Sequence, residues 1–149
     1  MSAEDSTVSG FTEQERAAMK QRAAELKKET TRGGRKNKKA AEELDVITKI
    51  QGMAEGDRAL AERIHQIVTT TAPDLAPKLW YGQPAYALAG KVVCFFRSGS
   101  DDKERYSTFG FTPEAKLDDD SGVWATSFAV NDLTAQSEKA ITELVKKAT

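Results

Sequence analysis

Residues Lys78–Arg97 read Lys-Leu-Trp-Tyr-Gly-Gln-Pro-Ala-Tyr-Ala-Leu-Ala-Gly-Lys-Val-Val-Cys-Phe-Phe-Arg, and they hold five of the chain's eleven aromatic residues and its single cysteine, Cys94. The order of residue types implies strand, tight turn, strand, tight turn, strand. Gly82 and Pro84 flank Gln83; this spacing bends a chain, because glycine accepts a positive φ and proline fixes its own. Ala89-Gly90 is a second breaker. The run Val92-Val93-Cys94-Phe95-Phe96 then marks a central strand buried on both faces. Alternation predicts Val92, Cys94 and Phe96 on one face and Val93, Phe95 and Arg97 on the other.

Upstream of this stretch the pattern is helical. Leu44, Ile47 and Ile50 cluster on one side of a helix expected from Ala40 to about Gln51, and Leu60, Ile64, Ile67 and Val68 form the stripe of another from about Asp57 to Thr70. Earlier still, Thr12 and Glu15 have capping-box spacing before a helix expected to end near Lys28. Its apolar stripe, Met19, Ala23 and Leu26, is thin, so it is expected to project from the body or lie loosely on it. Downstream, Arg105–Phe111 alternates as a half-buried antiparallel strand, Val123–Val130 reads as another, and Thr134 caps a last helix striped by Ile141, Leu144 and Val145. Helices, about five strands and a final helix imply an α+β fold, with a mostly antiparallel sheet and helices packed on one face. The connections between strands are too short for parallel crossovers.

The 149 residues fit one domain and an extension, divided at 39/40. Residues 1–39 carry a net charge of +4 and residues 40–149 a net −5. The acidic body argues against nucleic-acid binding except through the basic run Arg32, Arg35, Lys36, Lys38 and Lys39, which reads first as a solvated linker and second as an electrostatic tether. One cysteine makes an internal disulfide impossible, and no apolar run approaches the roughly 18 residues of a membrane span. A polar, acidic start lacks the features of a secretory signal, and the expected location is cytoplasmic.

The chemistry for catalysis is sparse. His65 is the only histidine, it sits on the flank of its helix's apolar stripe, and no second histidine follows at i+4 to make a zinc pair. Cys94 lies mid-strand among apolar neighbours, as a core thiol does. Neither a nucleophile elbow nor a glycine-rich nucleotide loop is present. A non-enzymatic binding role is therefore expected, for an unidentified small molecule or protein. Trp80, Tyr81, Gln83 and Tyr86 are candidates to line a groove, with Arg105 or Arg97 as the partner of an anion. Asp118, Asp119 and Asp120 are candidate hard-oxygen metal ligands, though without an EF-hand spacing.

The segments Pro-Lys-Leu-Trp-Tyr-Gly-Gln-Pro-Ala-Tyr, Gly-Lys-Val-Val-Cys-Phe-Phe and Tyr-Ser-Thr-Phe-Gly-Phe, followed by a helix with Leu-Val-Lys-Lys-Ala, resemble the YdhG-like family of bacterial domains of unknown function. The resemblance covers residues 46–148. It implies a small α+β domain of intracellular bacterial proteins. Some members are described as frataxin-like, which implies ferrous iron handled by carboxylates along the first helix and the neighbouring strand edge. The matching helices here carry Glu42, Glu43, Asp45, Asp57 and Glu62, interrupted by Lys49, Arg58 and Arg63.

The substitution Trp80→Ala separates a core role from a surface role. A buried indole predicts a loss of about 3–5 kcal/mol in denaturant unfolding, whereas an unchanged melting temperature marks a surface binding site.

Overall fold

A computed structural model describes residues 13–29 and 35–149. The cap expected at Thr12 and the residues Arg32, Gly33 and Gly34 lie outside the described residues. Helices α1 (Glu13–Glu29), α2 (Arg35–Gln51) and α3 (Glu55–Thr71) precede five strands, β1 (Ala76–Trp80), β2 (Gln83–Leu88), β3 (Lys91–Arg97), β4 (Ser107–Phe111) and β5 (Ser127–Val130), and helix α4 (Ala135–Ala148) closes the chain. The strands pair in sequence order, each antiparallel to the next. The expected α+β architecture is present, with the sheet a simple meander.

Both turns in the aromatic stretch are two-residue hairpins in which each central residue has positive φ: Tyr81 at 53° and Gly82 at 75°, then Ala89 at 51° and Gly90 at 85°. This is the turn whose twist matches that of the strands it joins. The first turn is therefore at Tyr81-Gly82, and Gln83 and Pro84 already belong to β2. Pro84 is tolerated in an interior strand because β2 pairs with β3 only from Ala85 onward, so its missing N–H removes no bond from that ladder.

Two rows of side chains on one face make the core: Tyr86–Cys94–Phe111 and Phe96–Phe109–Phe128. Val46 and Ile50 of α2, Ile64 and Val68 of α3, and Ile141 and Val145 of α4 cover them. Thr134 makes the expected cap, accepting from the Ser137 amide while Ser137 accepts from the Thr134 amide. Strict alternation fails at one place. Tyr86 faces Cys94 but Ala87 faces Val92, so Val93 is an extra residue in β3. This β-bulge brings Val93 as well as Cys94 into the core, and Thr112 bonds the Val92 and Val93 carbonyls.

The N-terminal part departs from expectation. Helix α2 begins at Arg35, so the basic run from Arg35 to Lys39 is helical and the boundary at 39/40 falls inside a helix. Helix α1 is docked. Leu26 is 1% exposed and packs with Ala40 and Ile47 in a second small core, flanked by Met19, Ala23 and Leu44. Arg22 pairs with Glu43 at 3.3 Å and Arg16 with Glu62 at 3.8 Å, tying α1 to both following helices. A stripe read as too thin is sufficient because α2 extends far enough to receive it.

Ala89 holds a left-handed conformation that costs an L-residue roughly 1 kcal/mol or more and that asparagine and glycine adopt readily. Ala89→Asn should therefore raise unfolding free energy by about 0.5–1 kcal/mol in chemical denaturation.

Candidate functional site

The face of the sheet opposite the core is not covered by any helix among the described residues. Its rows run Lys78–Ala85–Phe95–Gly110–Ser127 and Arg97–Thr108–Ala129, with Trp80 opposite Gln83 at the end of the first hairpin. Trp80 and Phe95 sit on β1 and β3, yet their ring centroids are 5.2 Å apart. Ala85 on the strand between them is small enough for the two rings to meet over it. Phe95 in turn lies over Gly110, where an added Cβ would be 2.5 Å from the ring. Ala85 and Ala87 are buried yet belong to neither core cluster. The result is an aromatic patch, its two rings tilted by 53° to each other, floored by alanine and glycine.

The groove expected from Trp80, Tyr81, Gln83 and Tyr86 is divided by the sheet. Trp80 and Gln83 share the outer face, and Tyr81 projects from the turn at 84% exposure with its ring edge-on to Trp80 at 4.9 Å. Tyr86 points the other way and is fully buried. A turn at Tyr81-Gly82 places positions 80, 83 and 85 on one side and 86 on the other; placing the bend at Gln83 hides this parity. Arg105 is exposed and stacks on the Tyr106 ring at 5.1 Å. Lys78 and Arg97 are the cations on the outer face, and no strand position there is acidic. Asp102 reaches Arg97 from the β3–β4 loop at 3.5 Å, an exposed pair of the kind that contributes little.

On the inner side Tyr86 meets His65. The Tyr86 hydroxyl lies 2.9 Å from His65 Nδ1 and the pair shares one proton, so two buried polar groups satisfy each other. Burial lowers the His65 pKa from 6.5 to about 4, and burial, then the nearby Cys94 and Glu43, raises that of Tyr86. Burial also pushes the Cys94 thiol up to about 12, which makes it a poor nucleophile at neutral pH.

A second polar cluster gave no sequence signal. Asp57, in the first turn of α3, accepts from Ser98 Oγ at 2.5 Å, the Ser100 amide at 3.0 Å and Ser107 Oγ at 3.2 Å. Burial alone would raise its pKa, but these donors outweigh burial and hold it below 3.8. The cluster fastens the β3–β4 loop to the start of α3.

The candidate metal and nucleic-acid residues are placed as follows. Asp118, Asp119 and Asp120 are exposed on the loop after β4, and Asp119 accepts from both the hydroxyl and the amide of Ser121, which lowers its pKa. Among the described residues no three His, Cys, Asp or Glu side chains are grouped to hold a metal ion. Of the helix carboxylates, Glu43 and Glu62 pair with arginines and Asp57 with serines. That donor set does not fit ferrous iron. Lys38 and Lys39 are exposed on α2. No helix among the described residues is long and apolar enough to cross a membrane.

No protein-family model, curated protein or solved structure matches this chain.

The His65 environment has a pH signature. An unfolded chain takes up a proton near pH 6.5, whereas the folded imidazole does so near 4. Stability is therefore full above pH 6.5 and falls as pH drops through that window, by up to about 3 kcal/mol. In urea unfolding between pH 7 and pH 3, His65→Gln should flatten this slope, leaving the loss that comes as pH falls from the ordinary aspartate value of 3.8 toward the lower value of folded Asp57.

Proposed function

We propose that the chain is a non-enzymatic, cytoplasmic binding domain of YdhG-like type that uses the uncovered face of its sheet. The observation that carries this reading is the Trp80–Phe95 platform, 5.2 Å between ring centroids, set among small residues with Lys78 and Arg97 on the same face. A domain with helices on both faces would bury such a pair. Here the rings offer a π surface, and the two cations can meet an anion, so the chemistry suits a planar, negatively charged small molecule. Arg97 can exchange its exposed partner Asp102 for such a ligand at little cost.

Trp80 is half-buried. Its replacement by alanine should accordingly cost less than a full core deletion, about 1–3 kcal/mol.

Binding is read from Trp80 fluorescence in a Trp124→Phe background, with adenosine monophosphate and adenosine as probes. The monophosphate should give a saturable change, adenosine a weaker one, and Phe95→Ala or Lys78→Gln should weaken the monophosphate response. No saturable change with either probe, or identical responses to both, would contradict the assignment of this face.

A further inference from the structure

Beside α1 lies a pocket of about 260 Å³, partly open to solvent and lined in part by Ala18 and Met19 of α1, Ile47 of α2 and His65 of α3. It is on the helical side of the molecule and shares no residue with the sheet-face platform. His65 distinguishes it from a packing gap. The residue is 7% exposed, and Tyr86 engages Nδ1 at 2.9 Å and so fixes the ring. Among the described residues no hydrogen bond reaches Nε2, which leaves that atom as the ring's polar group for the cavity it lines. The two charged residues at the lining, Arg22 and Glu43, pair with each other at 3.3 Å, so the cavity has no uncompensated charge to offer an ion.

We infer that this cavity binds a small uncharged molecule with an apolar ring and one hydroxyl group, the ring against Ala18, Met19 and Ile47 and the hydroxyl on His65 Nε2. Size supports a ring: an apolar protein cavity of about 150 Å³ is enough for benzene, and the space here is larger. A hydroxyl both donates and accepts, so it satisfies Nε2 whichever way the proton between Nδ1 and Tyr86 is placed. Because α1 supplies part of the lining, the helix completes the site, and ligand binding adds to its attachment.

The chain has one histidine, so the ring-proton resonance of His65 is unambiguous in the NMR spectrum of the full-length protein. Titration with p-cresol should shift it saturably, and toluene, the same shape without the hydroxyl, should bind about tenfold more weakly. Ala18 lines the pocket and is itself exposed, so Ala18→Phe should fill the space and abolish the shift without lowering the melting temperature; Met19→Trp is a second filling variant should the first fail to fold. In the Trp124→Phe background the Trp80 fluorescence should stay unchanged on titration with p-cresol, which separates this site from the sheet face. A p-cresol titration without a saturable shift, equal affinity for toluene, or a shift that survives cavity filling would overturn the inference.

Discussion

Every connection within the sheet is a turn or a helix-free loop, and that constraint decides the rest of the structure. With no helix between strands, the sheet has, among the described residues, three helices before it and one after it for cover. Helices α2, α3 and α4 gather over the rows that carry Tyr86, Cys94, Phe96, Phe109 and Phe111, and α1 packs on α2. The opposite face must then be shielded by its own side chains. Trp80 and Phe95 do this where the intervening and following strands offer Ala85 and Gly110. The aromatic pair is thus the way an uncovered sheet limits its exposure of apolar surface, with the cations Lys78 and Arg97 on the same face.

The buried polar groups show how the two layers are held in register. Tyr86 lies in the middle of the sheet's covered face, where a phenol without a partner would be costly. His65 on α3 supplies that partner and is itself held neutral. At the other end of the same helix Asp57 gathers three donors from the β3–β4 loop. Between α3 and α4, Arg63 and Glu138 pair at 2.7 Å. Hydrophobic burial supplies the general attraction between helices and sheet, and these directional contacts select one alignment of α3 among the many that would bury similar area.

The element order, the antiparallel pairing, the two turns near Gly82 and Gly90 and the last helix with its Thr134 cap were all legible in the sequence, because each rests on local residue chemistry. The division of the aromatic cluster was legible in principle but depended on one residue of register. Moving the first turn from Gln83 to Tyr81-Gly82 reverses which face Tyr86 occupies relative to Trp80. The bulge at Val93 was hidden because Val92, Val93 and Cys94 are all apolar and alternation cannot choose among them. Docking of α1 is not legible from its own stripe, because Ala40 and Ile47 on α2 make the surface that buries Leu26. The Asp57–Ser98–Ser107 cluster joins residues more than forty positions apart and has no local pattern to announce it.

The central claim is that Trp80 and Tyr86 lie on opposite faces of one sheet, the first with Phe95 and the second with His65. Proton–proton nuclear Overhauser effects among the aromatic rings test it most directly. The structure predicts cross-peaks between Trp80 and Phe95 and between Tyr86 and His65. Cross-peaks joining Trp80 to Tyr86, with none from Tyr86 to His65, would place both rings on one face and contradict it.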